Sequence, residues 1–323
     1  MKILLHSISF LLGAFCIYWV FRTTDFSALI SSFERLSWGV LLVICPIILS
    51  NLFLRAIRWR AMFERASSLP VRPFFSAISI GYLANNILPA RGGDLLRVYY
   101  LSVQQNIRKS QAFSTVLVER ASDLFIACML LGGASLLLDV PRWLQNGALI
   151  IGFFAACGLL ALFVLTYFKF PIVVRLETYC LTLFPKVSSW VLFQVAGFAQ
   201  GVRPMMKISS VLRFVLFTML LWVAEFGVAY LMAESFNLSL SPAQVLLVMM
   251  FSVFASLIPA LPGQLGAFEL AVVTGLELLG RTGENVLGFA IGWHMIILLT
   301  TSTVGAFMVL LNKNIFVRRT DYN

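Results

Sequence analysis

The sequence has few charged residues and no long polar segment, and both absences argue against a soluble protein. Only 12% of the 323 residues are charged, whereas ordinary soluble domains carry about 25%. No polar segment is long enough to form a soluble domain, while several apolar runs are long enough to span roughly 30 Å of hydrocarbon. The mean hydropathy of +0.93 is also typical of a membrane protein. We therefore predict a polytopic membrane protein.

The chain also lacks the short motifs of common enzyme and cofactor sites. It contains no P-loop, dinucleotide-binding glycine pattern, nucleophile elbow or zinc-type spacing. Its five cysteines occur singly, which indicates buried free thiols, and it has only two histidines, His6 and His294. We therefore expect no metal, no cofactor and no enzymatic activity.

The net charge of +10 is explained better by basic loops than by nucleic-acid binding. With the N-terminus inside the cell, 17 of the 24 Lys and Arg residues fall in segments predicted to be cytoplasmic, and four fall in external loops. This bias follows the positive-inside rule. We predict that both termini are cytoplasmic, in the cytoplasmic membrane of a bacterium or archaeon.

Six apolar runs are predicted to cross the membrane, and two more regions are interrupted. The predicted full spans are 1–21, 38–54, 112–138, 147–168, 211–236 and 286–311. The first lacks a signal-peptide cleavage site, so we expect an uncleaved helix. Regions 74–105 and 243–280 are broken by Pro and Gly. Irregular backbone at membrane depth must be enclosed by protein or water, so we predict re-entrant hairpins, although full double crossings would give the same topology.

An amphipathic connector, residues 169–208, is predicted to lie on the cytoplasmic surface between two halves, 1–168 and 209–323. The first hairpin would enter from the cytoplasm and the second from outside. The predicted fold is all-α, with about six full spans and two re-entrant hairpins arranged as an inverted repeat in one membrane domain. Paired broken segments of opposite orientation indicate an alternating-access binding site, so we expect the two breaks to meet at a polar cavity.

The first break contains the segment "NNILPARGGDLLR", residues 85–97. Pro89 disfavours helix in the residue before it, so the first half-helix should end near Asn86. Gly92 and Gly93 permit a reversal, and Asp94 can then cap the next half-helix.

This helix N-terminus beside Arg91 is a candidate anion site, and the expected anion is a lipid phosphate. The alternative is that Arg91 only pairs with Asp94 to hold the loop. The predicted substrate-binding residues are Asn85, Asn86, Arg91, Asp94 and Arg97.

The second break contains "IPALPGQLGAFE", residues 258–269, in which Pro262, Gly263 and Gly266 interrupt the helix. Glu269 should then fall in the first turns of the outgoing half-helix, where a carboxylate suits the helix dipole. It is either a helix-terminal acid or a proton or cation site that faces the first hairpin.

Charged residues also occur inside predicted full spans. In "VERASDL", Glu119 and Asp123 share a helix face while Arg120 points about 100° away. Charges at this depth mark functional interiors by default, although pairing that holds the helices together is the alternative. Glu225, near the middle of another span, is a candidate proton carrier. We assign these four residues and Glu269 to the cavity wall or to an ion or proton site.

Three segments, "NNILPARGGDLLR", "VERASDL" and "PGQLGAFE", resemble the signatures of the flippase-like family named for the transmembrane domain of lysylphosphatidylglycerol synthase. The resemblance covers roughly residues 10–310 and implies an eight-helix-type membrane fold with re-entrant segments that moves a lipid between leaflets. Asp94 stands where Glu is commoner, and Gln264 interrupts a frequent Gly pair. The chain has no aminoacyl-transferase domain, so we expect that it does not synthesise lysylphosphatidylglycerol.

The function expected from the sequence is translocation of an anionic phospholipid or lipid-linked phosphate, with membrane lipids as the partners and no nucleic acid. Two alternatives stay open. One is an intramembrane lipid-modifying enzyme with Glu119 or Asp123 as acid or base. The other is a non-catalytic protein that delivers lipid to a separate enzyme.

Overall fold

A computed structural model describes residues 15, 18, 26–34, 38–64, 66, 68–88, 92–167, 194, 197–256 and 261–312, and this part is helical with no β-strand. Its α-helices with defined ends are α1 (Phe26–Glu34), α2 (Trp38–Ala61), α3 (Val71–Ile87), α4 (Gly92–Gln105), α5 (Lys109–Ser135), α6 (Arg142–Tyr167), α7 (Ile208–Ser235), α8 (Pro242–Ala255), α9 (Ala267–Glu277) and α10 (Glu284–Leu311).

Four helices in the described part are long and apolar enough to cross a membrane. They are Gly39–Ala61, Arg142–Val164, Ile208–Ser235 and Asn285–Leu311, and they correspond to four of the six predicted spans. The predicted span 112–138 is present as α5, whose 27 residues include the three charges of the "VERASDL" segment. The predicted first span lies outside the described residues, apart from Phe15 and Tyr18. The protein is thus a multi-pass helical membrane protein.

The structure moves several predicted boundaries, most of all the end of the span 38–54, and adds one helix. Helix α2 continues to Ala61, seven residues beyond the predicted end of that span, because apolar residues persist among its arginines. Residues 55–61 are therefore helical rather than a cytoplasmic loop. Helix α1 lies in a segment predicted as an external loop, and it packs on α10.

The first interrupted region consists of α3 and α4, which pack against each other. Helix α3 ends at Ile87, one residue from the predicted end, and Leu88 is extended with φ −96° and ψ 140°. This is the conformation that a following proline favours. Pro89 and Arg91, two of the predicted break and site residues, lie outside the described residues.

The prediction that the chain reverses at Gly92 and Gly93 and that Asp94 then caps the next half-helix is wrong. Helix α4 begins at Gly92, so Asp94 lies within its first turn. Gly93 is needed for close approach instead, because an added Cβ would overlap the carbonyl oxygen of Gly81 on α3. The backbone N–H of Gly93 also donates to Oδ1 of Asn85 at 2.8 Å, which ties the two helices together.

The second interrupted region consists of α8 and α9, which also pack on each other. Residues 257–260 are not described, and a 3-10 turn at Pro262–Gln264 precedes α9. Gly263 and Gly266 have φ values of 66° and 81°, a region that favours glycine. The predicted break is confirmed here.

Helices that are distant in the sequence pack on each other. The leading long helices α2 and α7 pack on each other, α3 packs on α10, and α8 packs on α5. One hydrophobic cluster lies mainly among α7 to α10, and another mainly among α2 to α5. The C-terminal end of the predicted connector joins the second cluster, because Val202 and Met205 are buried there. The rest of the predicted surface connector is largely outside the described residues.

Candidate functional site

A cavity of about 580 Å³ lies between the two interrupted regions. Helices α2 to α5 and α7 to α10 contribute to its wall, together with the turn at Pro262–Gln264. Its charged and histidine lining residues are Arg55, Arg58, Asp94, Arg97, Glu119, Arg120, Asp123, Glu225 and His294. Ionisable side chains inside a hydrophobic helical bundle mark a candidate functional site.

The two breaks meet at this cavity, as the sequence predicts. Asn86 at the end of α3 donates from Nδ2 to Ser302 Oγ at 2.8 Å and to Thr301 Oγ1 at 3.1 Å on α10. A Cβ added at Gly263 would lie 3.4 Å from the carbonyl oxygen of Asn86. Asn85 and Asn86 line the cavity, but the hydrogen bonds of their amides hold the hairpin tips in place.

Arg58 is the centre of a buried ion-pair network. Its Nη1 and Nη2 atoms lie 2.6 and 3.0 Å from the two carboxylate oxygens of Asp123, a two-pronged pairing. Nη2 is also 3.3 Å from Oε1 of Glu119. Glu119 and Asp123 do share a helix face, as predicted, and Arg58 bridges them from α2.

Helices α4 and α5 are joined by two further pairs. Arg97 donates from Nη1 and Nη2 to Glu119 Oε1 at 3.3 Å, and its guanidinium lies 5.0 Å from the Trp59 ring centroid. Arg120 donates from Nη2 to Asp94 Oδ1 at 3.0 Å. Arg120 and Glu119 therefore have different partners, as predicted from helix geometry. Asp94 pairs with Arg120. The pairing of Asp94 with Arg91 stays a prediction, because Arg91 lies outside the described residues.

Sequence reasoning missed Arg55 and Arg58, because it counted both as cytoplasmic loop charges. Arg55 pairs with Glu225 on α7, so the carboxylate that had no opposite charge nearby in the sequence has one in the fold. The available signal was periodicity. Ala56 and Trp59 continue the apolar helix past Arg55 and are fully buried.

Three cavity arginines keep an unused donor. The Nε atoms of Arg58, Arg97 and Arg120 are buried and make no hydrogen bond to any described residue. Nε of Arg97 does lie 3.3 Å from Asp94 Oδ1, but without hydrogen-bond geometry, so Arg58 and Arg120 are the clearer cases. A buried unpaired donor costs about 1–3 kcal/mol, so these N–H groups are suited to an acceptor that enters the cavity.

The second hairpin contributes a separate pair. Glu269 is the third residue of α9, in the first turn as predicted. Its Oε2 accepts from the Gly266 N–H at 2.8 Å, and its Oε1 lies 2.7 Å from Nδ1 of His294 on α10. His294 lines the cavity, with Glu269 behind it.

The fold and this site define a class: a multi-pass helical membrane protein whose interrupted helices enclose an arginine-rich, ion-paired cavity. Residues 7–305 match the family described as the lysylphosphatidylglycerol synthase TM region. The chain belongs to this family, as the three sequence segments indicate.

Two archaeal relatives are both described as UPF0104 membrane proteins. The protein from Methanothermobacter thermautotrophicus is 26% identical over 251 residues, which cover 70% of this chain and 71% of that protein. The protein from Methanocaldococcus jannaschii is 39% identical over 69 residues, which cover 20% of each chain. No solved structure matches the chain.

Proposed function

We propose that this protein is a lipid translocase that moves an anionic phospholipid or lipid-linked phosphate between leaflets through the cavity. The observation that carries the proposal is the pair of unused, buried guanidinium donors on Arg58 and Arg120. Membership of a family named for the membrane region of a lipid synthase also supports a lipid substrate.

Phosphate chemistry suits these donors. A phosphate oxygen accepts charge-assisted hydrogen bonds, and the planar guanidinium offers several N–H groups in fixed geometry. Asp123 holds Nη1 and Nη2 of Arg58, and Asp94 holds Nη2 of Arg120, so the donors are positioned before a ligand arrives. Arg91 remains a predicted third ligand from the first break.

An inverted repeat is part of the proposal, and helix register supports it. Helices α4 and α9 begin at Gly92 and Ala267, and α5 and α10 begin at Lys109 and Glu284, so both pairs are 175 residues apart. The matching packing of α3 on α10 and α8 on α5 agrees with two related halves. Alternating access around a fixed central site then follows the usual logic of inverted repeats.

Helix length supports re-entrant hairpins over full crossings. Helices α8 and α9 have 14 and 11 residues, and at about 1.5 Å per residue they are roughly 21 and 17 Å long. Both are shorter than the hydrocarbon core of roughly 30 Å. One helix can therefore enter the interior of the bilayer, and the other can return from it to the same side.

The orientation of the chain can be tested with reporter fusions. We predict cytoplasmic termini because basic residues are concentrated in the loops on that side, even with Arg55, Arg58 and Arg60 assigned to a helix. A reporter at Trp143 should be external and one after Asn323 cytoplasmic. Reporters on the same side would contradict the topology.

Translocation is tested with the purified protein in liposomes that contain a panel of fluorescent lipids, with exchange between leaflets as the readout. We expect exchange of phosphate-bearing lipids. Arg120→Ala should slow it about ten- to hundredfold, since a hydrogen bond to a charged group contributes about 1.5–3 kcal/mol. Arg120→Lys should recover part of the rate, because a single ammonium replaces a two-pronged donor.

The matched control is Arg142→Ala, which removes an exposed arginine at the start of α6 and should leave the rate unchanged. Equal rates for Arg120→Ala and the wild type would refute the phosphate site. Chemically altered lipid in the vesicles would favour the enzyme alternative. Exchange that requires an added lipid-modifying enzyme would favour the delivery alternative.

A further inference from the structure

The Glu269–His294 pair stands apart from the arginine network of the cavity. Both side chains are buried, at 5% exposure each, and both oxygens of Glu269 are engaged, one by Gly266 N–H and one by His294 Nδ1. The carboxylate is therefore held rigidly, and its orientation fixes that of the imidazole. Such a pairing orients a histidine for proton transfer.

The imidazole is positioned between a packed interior and the cavity. Its ring stacks on Phe268, with 4.4 Å between centroids and 18° between planes. Nε2 makes no hydrogen bond to any residue in the described part of the chain, and the ring lines the cavity. The imidazole therefore forms part of the cavity wall, whereas Glu269 is not among the residues that line the cavity.

Apart from Glu269, no nearby group in the described part is free to compensate for a proton on His294. Helix α8 has no titratable residue, and Glu277 of α9 is exposed at the other end of its helix. Glu225 of α7 is taken by Arg55 of α2. The remaining titratable groups around the cavity are Tyr82, Arg58, Asp94, Arg97, Glu119, Arg120 and Asp123.

Charge balance gives a protonated imidazole a function. The described cavity wall has four arginines, Arg55, Arg58, Arg97 and Arg120, facing four carboxylates, Asp94, Glu119, Asp123 and Glu225. An anionic headgroup that enters this balanced cavity adds negative charge in a medium of low dielectric. Glu269 behind the wall is a fifth carboxylate, so the added anion raises an excess of negative charge that a proton on His294 reduces, and anion binding and proton uptake favour each other.

The two acids at equivalent positions of the halves have different partners. The shift of 175 residues that relates α4 to α9 also carries Asp94 onto Glu269 and Glu119 onto His294. In the first half, the acid in the first turn pairs with Arg120, a permanent cation. In the second half, the equivalent acid pairs with histidine, the side chain whose charge changes near neutral pH.

We infer that Glu269 and His294 form a proton-binding site on the cavity wall, and that proton uptake there is coupled to movement of the anionic lipid. The coupling rests on the proposed translocase function. Proton binding itself does not, so the two are tested separately.

The first experiment measures protonation of His294 directly. The chain contains only two histidines, so labelling histidine with carbon-13 at Cε1 gives two resonances, and His6→Gln leaves the one from His294. In the purified protein in detergent micelles, we expect this resonance to shift as the imidazole takes up a proton when the sample is taken from about pH 8 to about pH 5. Glu269→Gln should weaken this proton uptake, because the imidazolium loses its carboxylate partner. A resonance that does not shift over this series of samples would overturn the proton site.

The second experiment measures coupling in liposomes with an imposed pH gradient and a trapped pH-sensitive dye. We expect lipid exchange to be accompanied by proton movement, and to accelerate up to about tenfold for each unit of pH difference. His294→Gln, which keeps a hydrogen-bonding side chain beside Glu269, should abolish the effect of the gradient. His6→Gln is the matched control and should behave as the wild type does.

The outcomes separate the two proposals. Lipid exchange without proton movement would overturn the coupling and leave the translocase function standing. Exchange by His294→Gln that still responds to the gradient would overturn the role of His294. No lipid exchange by the wild type, with the His294 resonance still titrating, would refute the translocase function and the coupling while supporting the proton site.

Discussion

Arg58→Met is expected to lower the free energy of unfolding by about 3–5 kcal/mol, the usual cost of removing one partner of a buried ion pair. Arg58 is 1% exposed, and it is the shared partner of Asp123 and Glu119. Its loss leaves two carboxylates on adjacent turns of α5 without their bridging cation. Methionine fills much of the same volume, so the effect reports the charge and its hydrogen bonds more than a cavity.

A double-mutant cycle identifies the cause. Arg58→Met combined with Asp123→Leu should regain at least half of the lost stability, because Glu119 keeps Arg97 as a partner. The measurement is unfolding of the purified protein in detergent by heat or denaturant. Arg213→Met, which replaces an exposed arginine of α7, is the control and should change stability by about 0.5 kcal/mol or less. Equal losses for Arg58→Met and this control would show that the network does not stabilise the fold.

Gly93→Ala should prevent the first hairpin from closing, whereas Gly92→Ala should be tolerated. A Cβ at Gly93 would overlap the carbonyl oxygen of Gly81 and lie 2.7 Å from Asn85 Oδ1. Backbone cannot move aside as a flexible side chain does, so we expect a loss at or above the usual 1–3 kcal/mol of overpacking. A Cβ at Gly92 would have its nearest neighbour at 3.4 Å, in the side chain of Leu88.

The two alanine variants form a matched pair, since both place alanine in the first turn of α4. Helix propensity favours alanine over glycine by about 1 kcal/mol at either position, so any difference reports the contact with α3. Thermal stability and the rate of lipid exchange should both be lower for Gly93→Ala than for the wild type. Both should be close to those of the wild type for Gly92→Ala. Similar behaviour of the two variants would contradict the close approach of α3 and α4.

Local chemistry made part of this protein predictable from its sequence. The proline at position 89 predicts an end to α3, and the helix does end at Ile87. The glycines at 263 and 266 predict a break that the structure has, with left-handed backbone at both. Spacing of four residues on a helix predicts that Glu119 and Asp123 share a face, and both contact Arg58. Each inference depends on a few adjacent residues and on steric rules that hold in any fold.

Other features depend on residues that are distant in the sequence, and only the tertiary structure decided them. Arg55 and Glu225 are 170 positions apart, and no local pattern distinguishes a buried arginine at the end of an apolar helix from a cytoplasmic loop charge. Likewise, Gly93 appears as a turn residue in the sequence, but the contact of its backbone with Gly81 explains it. The partner of Glu269 could not be predicted either. Ion pairing and close packing are interactions between helices, so they are determined when the helices assemble.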